Sequence, residues 1–290
     1  MRLEARGHTC DFSTGPFVMG IVNLSADSFS GDGCGELDAA FAKTLNLMTD
    51  GAQMIDVGAE SARTNRQAIG EQEEIDRLCG FVEKWTRAVG DGQINTPAPV
   101  LAINTWRPAV ARCVLREGGD MLNDIGGLPT DENARICAEV GAALVIMHTV
   151  GQPKVPHTHV KYEDILSRLE EFFAEKLAIA ERAGLRRDSI VLDPGIDFAK
   201  QRDDNLLIYR ELVRLERFNQ PILLPVSRKT VIGDVLGLPP HERDAGTIAC
   251  SVAGILRGAH ILRVHNVRAA VQAVRVVWAV QNATAGQRTS

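Results

Sequence analysis

The chain has 290 residues, 45% of them hydrophobic, and a formal net charge of -5, enough apolar material for one large globular domain or two small ones. Mild acidity and the lack of any basic run exclude an electrostatic footprint for nucleic acid. The opening MRLEARGHTCDFSTGPF has no apolar signal-peptide core, and no apolar run approaches the roughly 20 residues of a membrane span, so a cytoplasmic location is expected.

Val18-Met-Gly-Ile-Val-Asn23 reads as a buried strand that opens into a polar, glycine-rich loop carrying Asp27, Phe29 and Asp32. From there short apolar strands alternate with amphipathic helices. Residues 36–50 read as a helix, 54–58 as a strand, and 71–88 as a helix with Ile75, Leu78, Val82 and Trp85 at helical spacing. A loop over 90–99 leads to a strand at 100–103. A helix follows at 107–117, with Pro108 in its first turn, where proline is tolerated. Strands at 121–124 and 143–147 flank a helix at 131–140. A long helix at 162–183 is stopped by Gly184. Residues 190–192 and 222–226 read as strands around a helix at 205–218. A longer connection reaches a helix near 247–257, then a strand at 261–264 and a closing helix from 267 to about 279.

Eight β-then-α units with no linker favour a closed (β/α)8 TIM barrel over an open sheet, which would more naturally carry a GxGxxG turn after its first strand. The expectation is one domain, 1–290, with a short extension at about 1–16 plugging the lower end. Six cysteines (Cys10, Cys34, Cys79, Cys113, Cys137, Cys250) follow no CxxC spacing and read as reduced thiols.

In such a barrel the active site lies at the carboxyl ends of the strands. Those ends carry Asn23; Glu60 and Arg63; Asn104; Asn123 and Asp124; His148; Asp193; Ser227, Arg228 and Lys229; Arg263 and His265. Any one of these is an ordinary loop residue, but together they put amides, a carboxylate and a lysine around one mouth. Asp193 can accept two parallel hydrogen bonds from an amidine-like edge, Asn123 can donate and accept, and Lys229 can donate to a carbonyl. That set suits a flat heterocycle with a guanidine-type edge. Arg63, Arg263, His265 and Asn23 suit a highly anionic group such as pyrophosphate, with a hard metal ion bridging its oxygens. His157 and His159, with His148, are a weaker candidate for a transition metal, since no carboxylate or cysteine completes a set.

These strings resemble the dihydropteroate synthase family over nearly the whole chain. VMGIVNLSADSFSGDG and GAQMIDVGAESAR are similar to its first two loop motifs. LAINTWRPAVA, DMLNDIGGL, LVIMHTVGQPK, IVLDPGIDFAK, LLPVSRKTVIG and HILRVHNV follow in order. The resemblance implies a homodimeric transferase that joins 6-hydroxymethyl-7,8-dihydropterin pyrophosphate to p-aminobenzoate, releases pyrophosphate and uses Mg2+. It implies that Asn104, Asn123, Ile125, Met147, Asp193 and Lys229 hold the pterin. Asn23, Arg63, Arg263 and His265 would hold the pyrophosphate, with Asn23 at the metal, and Arg63, Lys229, Arg263 and His265 would act in catalysis. Phe29, Phe198, Ser227 and Thr230 would form the p-aminobenzoate site, with the aryl carboxylate at the start of the helix after the seventh strand. The chain departs from the family pattern at Asn104, where Asp is usual, and at Ala62-Arg63-Thr64 in place of Thr-Arg-Pro. Asp197 stands where Gly is usual, and Gly31-Asp32-Gly33 replaces Asp-Gly-Gly. These departures leave open a paralogue using a different aryl amine. A pterin-dependent methyltransferase of the same superfamily is the other alternative.

Overall fold

The computed structural model describes residues 1–24, 37–60, 68–155, 157 and 159–283. A hairpin opens the chain, β1 (Arg2–Ala5) antiparallel to β2 (His8–Asp11). Eight parallel strands follow: β3 (Phe17–Asn23), β4 (Met54–Gly58), β5 (Val100–Asn104), β6 (Met121–Asp124), β7 (Ala143–Met147), β8 (Ile190–Asp193), β9 (Leu223–Pro225) and β10 (Ile261–Val264). They pair in the order β8-β7-β6-β5-β4-β3-β10-β9. A bridge between Leu192 and Ile222 joins the two ends, so the sheet closes into the expected barrel.

Strand residues alternate between two environments, as a pleated backbone requires. Ile55, Val57, Leu101, Ile103, Leu122, Leu144 and Ile146 face outward and share one core with helix residues such as Leu78, Phe81 and Val114. Their neighbours Met19, Met54, Val100, Ala102, Met121, Ala143, Val145, Val191, Leu223 and Ile261 face inward and form a second core. Leu3, Ala5, Cys10 and Phe12 of the N-terminal segment belong to that inner core, so the hairpin plugs the end of the barrel where the strands begin. Arg6 fastens it there: its amide donates to Gly141 O (2.7 Å) and its guanidinium to the carbonyls of Leu115 and Gly119.

The helices are α1 (Leu37–Thr49), α2 (Glu71–Gly90), α3 (Pro108–Glu117), α4 (Glu132–Val140), α5 (Ile165–Arg182), α6 (Arg202–Arg210), α7 (Thr230–Leu236), α8 (Asp244–Ile255) and α9 (Val267–Gln281). Three features differ from the expectation. α5 starts at Ile165 because Asp164 accepts from the amides of Leu166 and Ser167 at 2.9 and 3.2 Å, capping the helix there. The helix expected over 205–218 breaks after Arg210 into a 3-10 stretch, Leu212–Phe218, which buries Leu212 and Leu215 at a three-residue spacing. α7 lies inside the segment that the hydrophobic pattern reads as only a connection, where the resemblance puts a helix after the seventh strand. Cys79 on α2 and Cys113 on α3 also come together, their sulfurs 2.7 Å apart, which the spacing along the chain does not suggest. No described helix is long and apolar enough to cross a membrane.

Candidate active site

Along most barrel strands the inward residues change from apolar at the plugged end to polar at the other. On β4 the inward series runs Met54, Asp56, Gly58; on β5 it is Val100, Ala102, Asn104; on β6, Met121, Asn123; on β8, Val191, Asp193. The register aligns Asn23 with Gly58, Gly58 with Asn104, and Asn104 with Asn123. Met147 lies opposite Asp193. The expected ring residues Asn104, Asn123, Met147 and Asp193 are therefore all buried at the same end of the barrel, with Ile125 buried just beyond β6. Asn23 ends β3, and Arg263 and His265 sit at and just past the end of β10. Arg63 and Phe29, and the departures at Ala62, Thr64 and Asp32, lie outside the described residues.

Asp56, buried and inward-facing, ties two of these residues together. It accepts from Nδ2 of Asn123 at 3.1 Å and from Nε and Nη2 of Arg263 at 2.7 and 2.6 Å. A carboxylate enclosed like this is stable only because both oxygens are paired. The pairing fixes the amide of Asn123 and leaves its Oδ1 buried with no hydrogen-bond partner. The mouth thus holds an oriented acceptor. Asp56 is the site residue that reading strand ends missed, because it lies two residues below the end of β4. Its signal was a lone carboxylate at an inward position of the apolar string MIDVG.

Asp193 supplies the second acceptor. One oxygen accepts from Gly195 N at 2.7 Å. Burial pushes its carboxyl up to about 6, against the opposing pull of the Gly195 hydrogen bond and the charges of Lys229, Arg263 and Lys200. Lys229 donates to Ile196 O at 2.8 Å and lies over the Phe198 ring, 4.9 Å from its centroid. Ser227 Oγ and His265 Nδ1 are 2.7 Å apart, so Ser227 orients the imidazole.

The loop from Asp193 to Lys200 wraps one side of the mouth in a tight coil. Gly195, Asp197 and Ala199 all have positive φ, at 68°, 69° and 51°. At Gly195 a Cβ would stand 2.0 Å from His148 O, so glycine is required. Buried Lys200 gathers the coil: it donates to Gly195 O at 2.9 Å, Phe198 O at 3.0 Å and His148 O at 3.3 Å, and it lies 2.8 Å from His148 Nδ1. Burial brings Lys200 down to about 7. Burial, aided by the Lys200 charge, holds His148 well below the usual imidazole range.

Several strand-end residues turn away from the mouth. His148 packs against Phe172 and Tyr162, apart from the His157–His159 pair. No group of three metal-binding side chains forms among the described residues. Asp124 accepts from Gly126 N (2.7 Å) and Asn133 Nδ2 (2.9 Å) and so fixes the turn after β6. Glu60 pairs with Arg107 at 3.1 Å, and Arg228 with Asp244 at 2.9 Å.

Asp197 does not face open solvent. Its carboxylate accepts from the amides of Thr230 and Val231 (the latter at 3.2 Å), the first two residues of α7. The residue at the start of that helix, Lys229, has no acceptor in its side chain and makes no capping bond. Asp197 caps the helix from another loop.

Comparison with known proteins gives the same reading over the full length. Residues 19–265 match the sequence profile of a family described as pterin binding enzyme. The dihydropteroate synthase of Escherichia coli strain K12 is 35% identical over 289 residues, covering 99% of each chain. The Yersinia pestis dihydropteroate synthase, solved with a sulfonamide drug, superposes with a TM-score of 0.89 at 34% identity, covering 98% of this chain and all of that one. The Xanthomonas albilineans dihydropteroate synthase, solved with 4-aminobenzoic acid, does so with a TM-score of 0.86 at 34% identity over 98% and 99% of the two chains. On this likeness the chain belongs to the pterin-binding enzyme family, among the dihydropteroate synthases.

Proposed function

We propose that the protein is a transferase that joins 6-hydroxymethyl-7,8-dihydropterin pyrophosphate to an aryl amine of the p-aminobenzoate type and releases pyrophosphate. The observation that carries this reading is the pair of buried acceptors at one mouth: Oδ1 of Asn123, unpaired and held by Asp56, and the carboxylate of Asp193. A pterin presents adjacent N–H donors along its guanidine-type edge, and such donors need fixed acceptors out of water. In this reading Asn104, Ile125, Met147 and Lys229 complete the ring pocket.

The leaving group is served from β10 and the loop after β9. Arg263 spends one edge of its guanidinium on Asp56, so its other N–H groups remain for a pyrophosphate oxygen. His265, oriented by Ser227, supplies a second contact, and Arg63 belongs to the same group. In the transfer, the methylene carbon–oxygen bond breaks and its electron pair leaves with pyrophosphate. The amine nitrogen forms the new carbon–nitrogen bond and gives up a proton. The aryl amine is assigned to Phe198, Ser227 and Thr230, toward the outside, and the resemblance gives Phe29 the same role.

Mg2+ belongs to the same proposal, and the donor chemistry fits it. Asn23 ends β3 with an amide oxygen suited to a hard cation. The described residues build no cage of three ligands, which suits an ion carried largely by substrate phosphate and water. Bound there, it would neutralise charge on the departing pyrophosphate. A homodimer through the last barrel helices is supported by the apolar side chains that α9 leaves outside, Val276 at 64% and Val280 at 71% exposure. A cytoplasmic location fits the free thiols of the five described cysteines.

The test is direct. Mixed with the pterin pyrophosphate and p-aminobenzoate, the protein should release pyrophosphate, and Asp193→Ala should abolish that release. No release from the unmodified protein with any aryl amine would overturn the reading.

A further inference from the structure

We infer that Asp244 is a positioning residue: its carboxylate bridges the loop after β9 to the loop after β10 and so fixes the Ser227–His265 pair that serves the leaving group. This rests on the transferase reading above.

Beyond the paired strands, Ser227 and His265 join the two loops. Ser227 Oγ lies 2.7 Å from His265 Nδ1 and accepts from the His265 amide at 3.2 Å. A junction at one residue pair lets the loops pivot about it, and a small misplacement of a group that must meet the leaving group is costly. Asp244, the first residue of α8, adds a second tie through different residues. Its Oδ1 accepts from Arg228 Nε at 2.9 Å and its Oδ2 from Asn266 Nδ2 at 3.2 Å. Arg228 follows Ser227 and Asn266 follows His265. One carboxylate therefore holds the neighbour of each member of the pair.

The residues on both arms suit this bridge. Arg228 sits at φ 55°, which side chains disfavour, and the start of α8 holds it there. Its amide donates to Thr247 Oγ1 at 3.0 Å and its carbonyl accepts from Arg243 Nη1 at 3.3 Å. Asn266 caps α9 by accepting from the Ala269 amide at 3.1 Å. Of the good capping side chains only asparagine also carries N–H donors, and this one spends a donor on Asp244. Burial works against the Asp244 charge, but the bonds from Arg228 and Asn266 outweigh it and hold the carboxyl below the usual carboxylate range. The Arg228–Asp244 pair is partly exposed, at 16% and 39%, so it adds little to stability and acts on geometry instead. Lys229 is held separately: its ammonium donates to Ile196 O, and its carbonyl accepts from Arg243 Nη1 at 3.1 Å. The ring pocket therefore does not depend on the bridge.

The experiment uses the full-length protein with Asp244→Asn, with Asn266→Ser, and with the exchange Asp244→Asn plus Asn266→Asp. The first can satisfy only one of the two arms. The second keeps a cap on α9 but loses the amide donor. The exchange rebuilds the carboxylate–amide bond with its ends reversed and keeps an acceptor for Arg228. In calorimetric titrations each single variant should bind the pterin pyrophosphate about tenfold more weakly, and 6-hydroxymethyl-7,8-dihydropterin within about twofold of the unmodified protein. Pyrophosphate release should lose about the same factor in kcat/KM, with Tm moved by less than roughly 3 °C. The exchange should recover most of the loss. Unchanged affinities in both single variants, equal losses for the two ligands, or an exchange no better than the single variants overturns the inference. If the unmodified protein releases no pyrophosphate with any amine, the transferase reading fails separately, and the two titrations decide the bridge without turnover.

Discussion

Asp193 shows how a single buried group sets a pH dependence. Its carboxyl titrates near 6 because burial disfavours the charged form more than Gly195 N–H and the surrounding Lys229, Arg263 and Lys200 favour it. A folded-state value above the unfolded one means that ionisation works against the fold. Its contribution to stability is complete below about pH 4 and is lost as pH rises through about 6. Ligand binding has the opposite sign. A pterin that donates to Asp193 needs the ionised form, so its affinity should rise with pH through about 6 and level off above. Below that point it should fall about tenfold per pH unit. Calorimetric titration of the bare pterin from pH 5 to 8 measures this, and a flat profile would remove Asp193 from the ring pocket. At this scale much was legible in advance. Strand ends picked out Asn104, Asn123, Asp193 and Arg263, which the fold places at one end of the barrel. They could not pick out Asp56, which lies below the rim, and they did not separate His148, Glu60 and Arg228, whose partners come from other segments, or Asp124, which the turn and helix after β6 engage.

The decisive element is the coil between β8 and α6. Three positive-φ residues in five positions cannot be held by local propensity alone. Lys200 holds them by collecting carbonyls from both ends of the coil and from His148. Replacing it with methionine leaves buried carbonyls without donors, at roughly 1–3 kcal/mol each. Lys200→Met should therefore lower Tm by roughly 5 °C or more. It should also raise KM for both substrates, because Asp193 and Phe198 sit at the two ends of the loosened segment. Calorimetric melting and steady-state kinetics check the two parts, and an unchanged Tm would mean that the coil holds its own shape. None of this was readable from the string DPGIDFAK, since the partners of Lys200 are backbone oxygens. Long-range capping hid the start of α7 from the hydrophobic pattern in the same way, and only the resemblance put a helix there. Its start carries no Ser, Asp or Asn of its own, because the cap comes from Asp197, a loop away.

At the scale of the whole molecule, the alternation of apolar strands and amphipathic helices was enough to foresee the barrel. Each strand buries both faces, and the inner face needs filling from below. The N-terminal hairpin does that filling. Among the described residues the barrel is plugged at one end and presents its polar residues at the other. Asn123, Met147 and Asp193 are almost wholly buried at the mouth end of the strands, whereas Phe198, Ser227 and Lys229 are half-buried farther out and Thr230 is exposed. Two substrates that share one entrance at different depths have to queue. In the proposed transfer the pterin pyrophosphate is expected to enter first and to offer part of the surface on which the amine ring rests, and the coupled product to leave before the next pterin arrives. Titrated into the empty protein, the amine should give little or no binding heat. Once the pterin pyrophosphate is in place it should bind measurably, and equal binding in both conditions would show that the two do not wait on each other.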